Sequence, residues 1–215
     1  MFTSRFQKWV RRNAQRLAAA LAGAGVTPNQ VTIAGMAATF CAAALAGFGL
    51  LLPAGLVLAF SGTFDILDGA LARASNSNYP YGAFLDSTID RYSEGAVYVG
   101  IVMYFLGHGG GSMRWQVLGA VLALGGSFLV SYVRARAQSL GFHCDAGLFA
   151  RPERVVATVI GLILGAAVLG WVVWLLAILT NVTALQRIHE VWRQGRVVSP
   201  PKEEAAPAPA RQAHG

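Results

Sequence analysis

Charged side chains are scarce in this sequence, making up 13% of its 215 residues, whereas soluble proteins average about a quarter. Hydrophobic residues make up 55%, and the mean hydropathy is +0.51. Apolar runs of about 20 residues recur, and each is long enough to cross a bilayer. The shortage of charge therefore excludes a soluble fold. It predicts one all-α, polytopic integral membrane domain.

Cysteine and acidic residues are also few. The two cysteines, Cys41 in an apolar run and Cys144 in a polar loop, predict no disulfide. Cys144 follows His143, but two such residues do not make a metal site. There are ten acidic residues against 17 Lys and Arg, which gives a net charge of +7. These basic residues lie in loops and at the ends of apolar segments, which indicates membrane topology and anionic lipid rather than nucleic acid.

Four of the ten acidic residues nevertheless lie close together in an otherwise apolar stretch. Asp65 and Asp68 are three residues apart and Asp86 and Asp90 are four apart, so each pair shares one face of a helix. Two facing pairs would form an oxygen-rich cage of the kind that Mg²⁺ or Mn²⁺ prefers, and a two-metal site suits phosphoryl transfer. Arg73 adds a charged fork that matches phosphate.

The whole stretch reads D-x-x-D-G-x-x-A-R, from Asp65 to Arg73, followed by G-x-x-x-D-x-x-x-D, from Gly82 to Asp90. This pattern resembles the signature of the CDP-alcohol phosphotransferase family, and the resemblance covers about residues 25–195. It implies a homodimeric membrane enzyme that moves a phosphatidyl or comparable lipid phosphate group from CDP-diacylglycerol to the hydroxyl of a polar alcohol, releasing CMP.

The resemblance also implies roles for individual residues. Asp65, Asp68, Asp86 and Asp90 would hold two divalent ions, Mg²⁺ or Mn²⁺, with Asp90 also acting as the catalytic general base. The CDP-lipid would be bound by residues from the first three spans, namely Asn29, Thr32, Asp68, Gly69, Arg73, Tyr79 and Gly82. Tyr79 departs from the family, in which Thr or Ser is common at this position. A helix cap alone could explain the T-P-N-x-x-T opening that contains Asn29 and Thr32.

The acceptor is indicated by arginines in three later segments. R-A-R-A at Arg134, R-P-E-R ending at Arg154 and Q-R-x-H at Arg187 resemble the phosphatidylinositol-phosphate synthase branch of the family. That branch implies that Arg134, Arg154 and Arg187 hold the phosphate of inositol phosphate, although bacterial members often have Lys in place of Arg134. Glycerol 3-phosphate is the alternative acceptor, and a cation transporter is the alternative of another class. For Arg136 and Arg151 a topological role is favoured.

Six spans are predicted, at about 30–49, 54–73, 83–107, 115–138, 153–171 and 172–192. Both termini then lie on one side with every Lys and Arg except Arg114, which identifies that side as the cytoplasm. Residues 1–24 are predicted to form an amphipathic helix on the membrane surface rather than a cleaved signal peptide. The membrane domain would occupy 25–195, and the Pro- and Ala-rich residues 196–215 would form a disordered cytoplasmic tail.

Overall fold

A computed structural model describes residues 14–74, 80–108, 113–144, 147 and 149–197. Within these ranges the chain forms helices and no strand, which confirms the predicted all-α class. The helix α1 is described from residue 14 to residue 23. It is followed by α2 (Pro28–Gly47), α3 (Leu51–Ala74), α4 (Pro80–His108), α5 (Arg114–Ser139), α6 (Arg151–Leu164) and α7 (Ala166–Val197).

The start of α2 is fixed by a capping box. The backbone N–H of Gln30 donates to Thr27 Oγ1 at 3.4 Å, and the backbone N–H of Thr27 donates to Gln30 Oε1 at 2.9 Å. Pro28 takes the first helical position, where no N–H is required. Local capping therefore explains Thr27 and Pro28, while Asn29 and Thr32 lie beyond the cap and face other elements.

Four helices, α2, α3, α5 and α7, are long and apolar enough to cross a membrane, so the chain is a multi-pass membrane protein. The helix α4 has 29 residues but carries charged side chains in its first half. The helix α6 has only 14 residues, fewer than the roughly 20 that a perpendicular span needs. The count of six spans therefore stays a prediction.

The predicted boundary between the last two segments, at residues 171 and 172, is wrong. The helix α6 ends at Leu164 and α7 begins at Ala166, so the break lies at Gly165. Gly165 has a φ of +94°, which a residue with a Cβ atom rarely adopts. A single glycine can interrupt the helix here without any change in hydropathy, which is why hydropathy alone misplaced the break.

The six long helices pack as a closed ring. Around the ring, α2 contacts α3 and α4, α3 contacts α6, α6 contacts α7, α7 contacts α5, and α5 contacts α4. Glycines allow the helices to approach closely. A Cβ atom at Gly100 of α4 would collide with the backbone carbonyl of Ala43 in α2, and one at Gly126 of α5 would collide with Thr180 of α7. Membrane helices commonly use small residues for such contacts.

The two ends of the ring differ in polarity. One half is filled by an apolar cluster that includes Ile101, Phe105, Leu169 and Leu176, which are almost fully buried. The acidic motif lies in the other half, at the end of α3 and the start of α4. The described part of α1 packs against this second half, with Ala18 in a small cluster with Val31, Ala70 and Leu71. Residues 1–13 and 198–215 of the predicted terminal segments lie outside the described residues.

Candidate functional site

Arg151 joins the two helices that carry the acidic motif. Its Nη1 donates to Asp65 Oδ2 at 2.8 Å, and its Nη2 lies 2.7 Å from Asp90 Oδ1. Asp65 is on α3, Asp90 is on α4, and Arg151 is the first residue of α6. The consecutive helices α3 and α4 and the distant helix α6 therefore meet at one guanidinium, and the two halves of the motif face each other.

The remaining two aspartates lie in the same region. Asp68 is buried, and its Oδ2 accepts a hydrogen bond of 2.9 Å from Thr32 Oγ1, which ties α3 to α2. Asp86 is one helical turn before Asp90, and it lies close enough to Asp65, Asp68 and Arg151 for direct electrostatic interaction. Thr32 Oγ1 also lies 3.1 Å from the Pro28 carbonyl oxygen, so its side chain contacts both the first turn of α2 and the acidic site.

Most of the residues predicted to bind the CDP-lipid surround this acidic site. A Cβ atom at Gly82, in the first turn of α4, would lie 3.7 Å from Asn29 Oδ1 in the first turn of α2. A Cβ atom at Gly69 would lie 3.5 Å from Nη1 of Arg73, which is exposed at the end of α3. Tyr79 lies outside the described residues. The absence of side chains at Gly69 and Gly82 keeps the surfaces beside Arg73 and Asn29 open.

The donor set suits a cation. Four carboxylates from α3 and α4 converge, and Asp65 and Asp90 already share a positively charged group, the Arg151 guanidinium. Among the described residues, no three His, Cys, Asp or Glu side chains are gathered tightly enough to ligate one ion. The Arg151 guanidinium lies between Asp65 and Asp90 and offsets part of their negative charge. Hard oxygen donors around a cation are the ligands that Mg²⁺ and Mn²⁺ prefer.

Sequence reasoning missed a second ion pair beside this cluster. Arg154 Nε donates to Glu94 Oε1 at 2.8 Å and its Nη2 donates to Glu94 Oε2 at 3.2 Å, which is a bidentate fork. Arg154 is 2% exposed, so the pair is sheltered from water. Glu94 follows Asp90 by four residues, as Asp90 follows Asp86. Extending the four-residue spacing by one more helical turn would have identified it.

The three arginines predicted to hold the acceptor phosphate lie on different elements at this end of the ring. Arg154 is on α6, Arg134 is exposed near the end of α5, and Arg187 is buried on α7. Arg187 Nη1 donates to the backbone carbonyl of Val130 at 2.6 Å, which links α7 to α5. Arg154 and Arg187 are therefore held by protein groups on other helices. Arg151, for which a topological role was favoured, contacts the acidic site directly.

A cavity of about 40 Å³ lies inside the ring beneath the acidic cluster. This volume holds only a few water molecules. Its polar lining combines hydroxyls from α2, α3 and α4 with the charged groups already described, namely Thr32, Thr39, Ser61, Ser93, Asp65, Asp90, Glu94 and Arg151. Among the described residues, the acidic site is continuous with a polar interior and an apolar core fills the other half of the ring, so polar molecules reach the site from the acidic end.

Comparisons with known proteins identify relatives over most of the chain. Residues 25–184 match the family model described as CDP-alcohol phosphatidyltransferase. The archaetidylinositol phosphate synthase of Pyrococcus horikoshii is 39% identical over 188 residues, which cover 87% of this chain and 95% of the relative. The phosphatidylinositol phosphate synthase of Mycobacteroides abscessus is 40% identical over 181 residues, covering 81% of each protein.

The fold also matches a solved enzyme, the phosphatidylinositol phosphate synthase of Mycobacterium tuberculosis. Its crystal structure with CDP-DAG bound superimposes with a TM-score of 0.78 at 35% identity, covering 84% of this chain and 94% of that chain. Its complex with manganese and citrate gives a TM-score of 0.77 at 35% identity, covering 83% and 88%. The fold is therefore similar to that of an enzyme whose crystal structures were determined with CDP-DAG bound and with manganese and citrate.

Proposed function

The chain belongs to the CDP-alcohol phosphatidyltransferase family, and from that premise we propose that it transfers a phosphatidyl group from CDP-diacylglycerol to inositol phosphate, releasing CMP. The observation that carries this proposal is that Asp65 and Asp90 face each other across the Arg151 guanidinium. This cluster lies at the same end of the ring as Arg134, Arg154 and Arg187. The named relatives favour inositol phosphate over glycerol 3-phosphate as acceptor. Family membership in turn favours an enzyme over a cation transporter.

The cofactor is a divalent cation, Mg²⁺ or Mn²⁺, and two ions are proposed. Asp65, Asp68, Asp86 and Asp90 would hold them. When bound, such ions neutralise the pyrophosphate and stabilise the charge that develops on the departing CMP. Thr32 supports this role, because its hydroxyl holds the carboxylate of Asp68 in one orientation. Oriented ligands bind metal more tightly than free ones.

The transfer itself requires a base and an oriented nucleophile. The acceptor hydroxyl loses its proton to the carboxylate of Asp90, and its oxygen forms a bond to the phosphorus of the phosphatidyl group. The bond between that phosphorus and the CMP oxygen breaks, and CMP leaves as the anion. Asp90 is only partly exposed, which limits competition from water for the same proton. Positioning of the hydroxyl against Asp90 matters more than the basicity of the carboxylate.

The two substrates would occupy opposite sides of the acidic cluster. Asn29, Thr32, Gly69, Arg73, Tyr79 and Gly82 bind the nucleotide side of CDP-diacylglycerol, with Asp68 shared between nucleotide and metal. Arg134, Arg154 and Arg187 provide positive charge for the acceptor phosphate. Glu94 keeps Arg154 in a fixed orientation, which leaves Nη1 as the edge of that guanidinium not used in the fork.

We propose in addition that the acidic end of the ring faces the cytoplasm, where soluble inositol phosphate and divalent cations are found, and that two copies form a homodimer. The orientation rests on the positive charge at that end. The dimer rests on the family resemblance. Neither proposal changes the chemistry of the site within one chain.

An acceptor panel tests the function. The purified protein is incubated with CDP-diacylglycerol, Mn²⁺ and one alcohol at a time, namely inositol phosphate, glycerol 3-phosphate, inositol or serine, and both CMP and the lipid product are measured. The proposal expects CMP release and a phosphorylated inositol lipid with inositol phosphate alone. Turnover of glycerol 3-phosphate in its place would show that the acceptor is wrong while the transferase chemistry is right.

A further inference from the structure

Arg151 occupies the centre of the proposed metal site. Its two terminal nitrogens lie 2.8 Å from Asp65 Oδ2 and 2.7 Å from Asp90 Oδ1, distances typical of charge-assisted hydrogen bonds. Its side chain remains 28% exposed, compared with 2% for Arg154. Arg151 is therefore held by two carboxylates at the surface of the site, whereas Arg154 is part of the interior.

A divalent ion and this guanidinium compete for the same carboxylates. An ion ligated by Asp65 and Asp90 would lie within a few ångströms of the Arg151 nitrogens, and like charges at such a separation repel strongly where water is partly excluded. Arg91 lies near the same cluster, with Nη2 3.7 Å from Asp90 Oδ2, so the region already carries further positive charge. Arg151 occupies one oxygen of each carboxylate, so the repulsion between its charge and that of a bound ion, rather than a lack of ligand atoms, opposes their presence together.

The position of Arg151 determines which ligand its guanidinium can bind once it has left the two carboxylates. It begins α6, one helical turn before Arg154, and so lies on the side of the acidic cluster to which the acceptor arginines belong. Arg154 already uses two nitrogens on Glu94, and Arg187 uses Nη1 on a backbone carbonyl. An arginine released from two carboxylates has both terminal nitrogens ready for a phosphate, which it can bind in the same bidentate manner.

We propose that a divalent ion displaces Arg151 from Asp65 and Asp90, and that the released side chain then binds the acceptor phosphate. Metal binding would therefore create part of the acceptor site, and the metal would bind before the acceptor. This proposal rests on the proposed function. Because coupling between two ligands is reciprocal, the acceptor should also strengthen metal binding.

The test compares wild-type protein, Arg151→Gln and the matched control Arg136→Gln. Arg136 is an exposed arginine at the end of α5, outside the acidic cluster. Mn²⁺ affinity is measured without substrates, from the electron paramagnetic resonance signal of free Mn²⁺. Removal of the competing guanidinium should tighten Mn²⁺ binding by about ten-fold or more in Arg151→Gln, as expected for the loss of a charge-assisted interaction, and should not change it in Arg136→Gln.

Two further measurements separate this proposal from a structural role. The unfolding temperature of Arg151→Gln should be below that of wild type in chelator and close to it in saturating Mn²⁺. If Arg151 had a purely structural role, its loss would lower the unfolding temperature under both conditions. The KM for inositol phosphate should rise about ten- to a hundred-fold, with the KM for CDP-diacylglycerol near its wild-type value. If Arg151→Gln does not fold, Arg151→Lys retains the charge without the fork and should show smaller shifts in the same directions.

Unchanged or weaker Mn²⁺ binding in the folded variant would overturn the displacement. Tighter Mn²⁺ binding with an unchanged acceptor KM would overturn the second role of Arg151. Failure of the proposed function is distinguishable from both, because the binding isotherm uses no substrate. A wild-type protein that shows the competition but does not use inositol phosphate would refute the acceptor assignment alone.

Discussion

At the scale of single residues, the carboxylates of the acidic motif are placed by different contacts. Asp68 is buried and accepts a hydrogen bond from Thr32, whereas Asp65 and Asp90 both pair with Arg151. Asp86 lies one helical turn before Asp90 on α4. The carboxylates therefore differ in their polar contacts, although Asp65 and Asp90 share one guanidinium. A single substitution should remove one ligand without releasing the others.

The first prediction concerns these ligands. Asp65→Asn and Asp86→Asn should each lower kcat by about a hundred-fold or more, because an amide cannot provide the negative charge that holds the cation, and the cation stabilises the departing CMP. Exhaustive chelation should abolish CMP release, and Mn²⁺ or Mg²⁺ should restore it. Glu153→Gln, at an exposed carboxylate in the first turn of α6, serves as the control and should retain activity. Full turnover after chelation would refute the metal requirement.

The second prediction concerns Glu94 as a positioning residue. Glu94→Gln keeps the shape of the side chain but weakens the fork to Arg154, so the KM for inositol phosphate should rise about ten-fold with Mn²⁺ affinity unchanged. Glu94→Ala should also lower the unfolding temperature, because an unpaired buried arginine costs about 3–5 kcal/mol.

The buried pair also decides how Arg154 is to be tested. Arg154→Ala would remove both hydrogen bonds of the fork and leave Glu94 with Arg91 alone, whose Nε lies 3.9 Å from Glu94 Oε2. Lost stability would then obscure any change in acceptor affinity. Arg154→Lys retains the charge and is the better variant. An acceptor KM for Glu94→Gln equal to that of wild type would show that the pair contributes to stability alone.

At the scale of the helices, small residues decide how closely neighbours approach. Gly126 of α5 lies against Thr180 of α7, with no room for a Cβ atom, whereas the adjacent Gly125 has no other atom within 4 Å of its ideal Cβ position. The two glycines are in the same helix, so their backbone propensities are similar. They differ in packing, because only Gly126 is crowded by a neighbouring helix.

The third prediction uses this contrast. Gly125→Ala should leave the unfolding temperature unchanged or raise it, because alanine favours a helix over glycine by about 0.5–1 kcal/mol. Gly126→Ala should lower it, because overpacking of a helix contact costs about 1–3 kcal/mol and exceeds the gain in propensity. Thermal unfolding of both variants in the same detergent provides the measurement. Equal shifts of the same sign would show that α5 and α7 are not in close contact there.

At the scale of the whole molecule, the ring of helices brings every proposed site residue that the structure describes to one end. The apolar cluster that includes Phe105 and Leu176 fills the other half, so the site has a single polar entrance. The six predicted spans place both termini on the side of that entrance, which the positive charges identify as the cytoplasm.

The fourth prediction concerns this topology. Both native cysteines are first replaced, and single cysteines are introduced by Ser199→Cys in the C-terminal segment or Arg114→Cys at the start of α5. An impermeant maleimide should label Ser199→Cys only in inverted vesicles and Arg114→Cys only in right-side-out vesicles. Intact mass should show that the N-terminus is retained. Labelling of both positions from one side would contradict the predicted number of crossings, and a mature start near residue 25 would show a cleaved signal peptide.

The sequence by itself determined the class of the protein, the acidic motif and the family. Hydropathy is summed over a segment and the motif depends on fixed spacing along single helices, so both can be read without tertiary contacts. The start of α2 could also be predicted from the sequence, because a capping box involves residues that are only three positions apart.

Only the tertiary structure decided the partners of the arginines. Arg151 meets Asp65, 86 residues earlier, and Arg154 meets Glu94, 60 residues earlier, and no local pattern specifies such pairings. Sequence reasoning treated Arg151 as a topological charge, although its guanidinium lies in the acidic site. The break at Gly165 was also hidden, because a positive φ in one glycine leaves the hydropathy of its surroundings unchanged. Long-range ion pairs and single backbone angles depend on how the helices pack, and packing is a property of the whole ring.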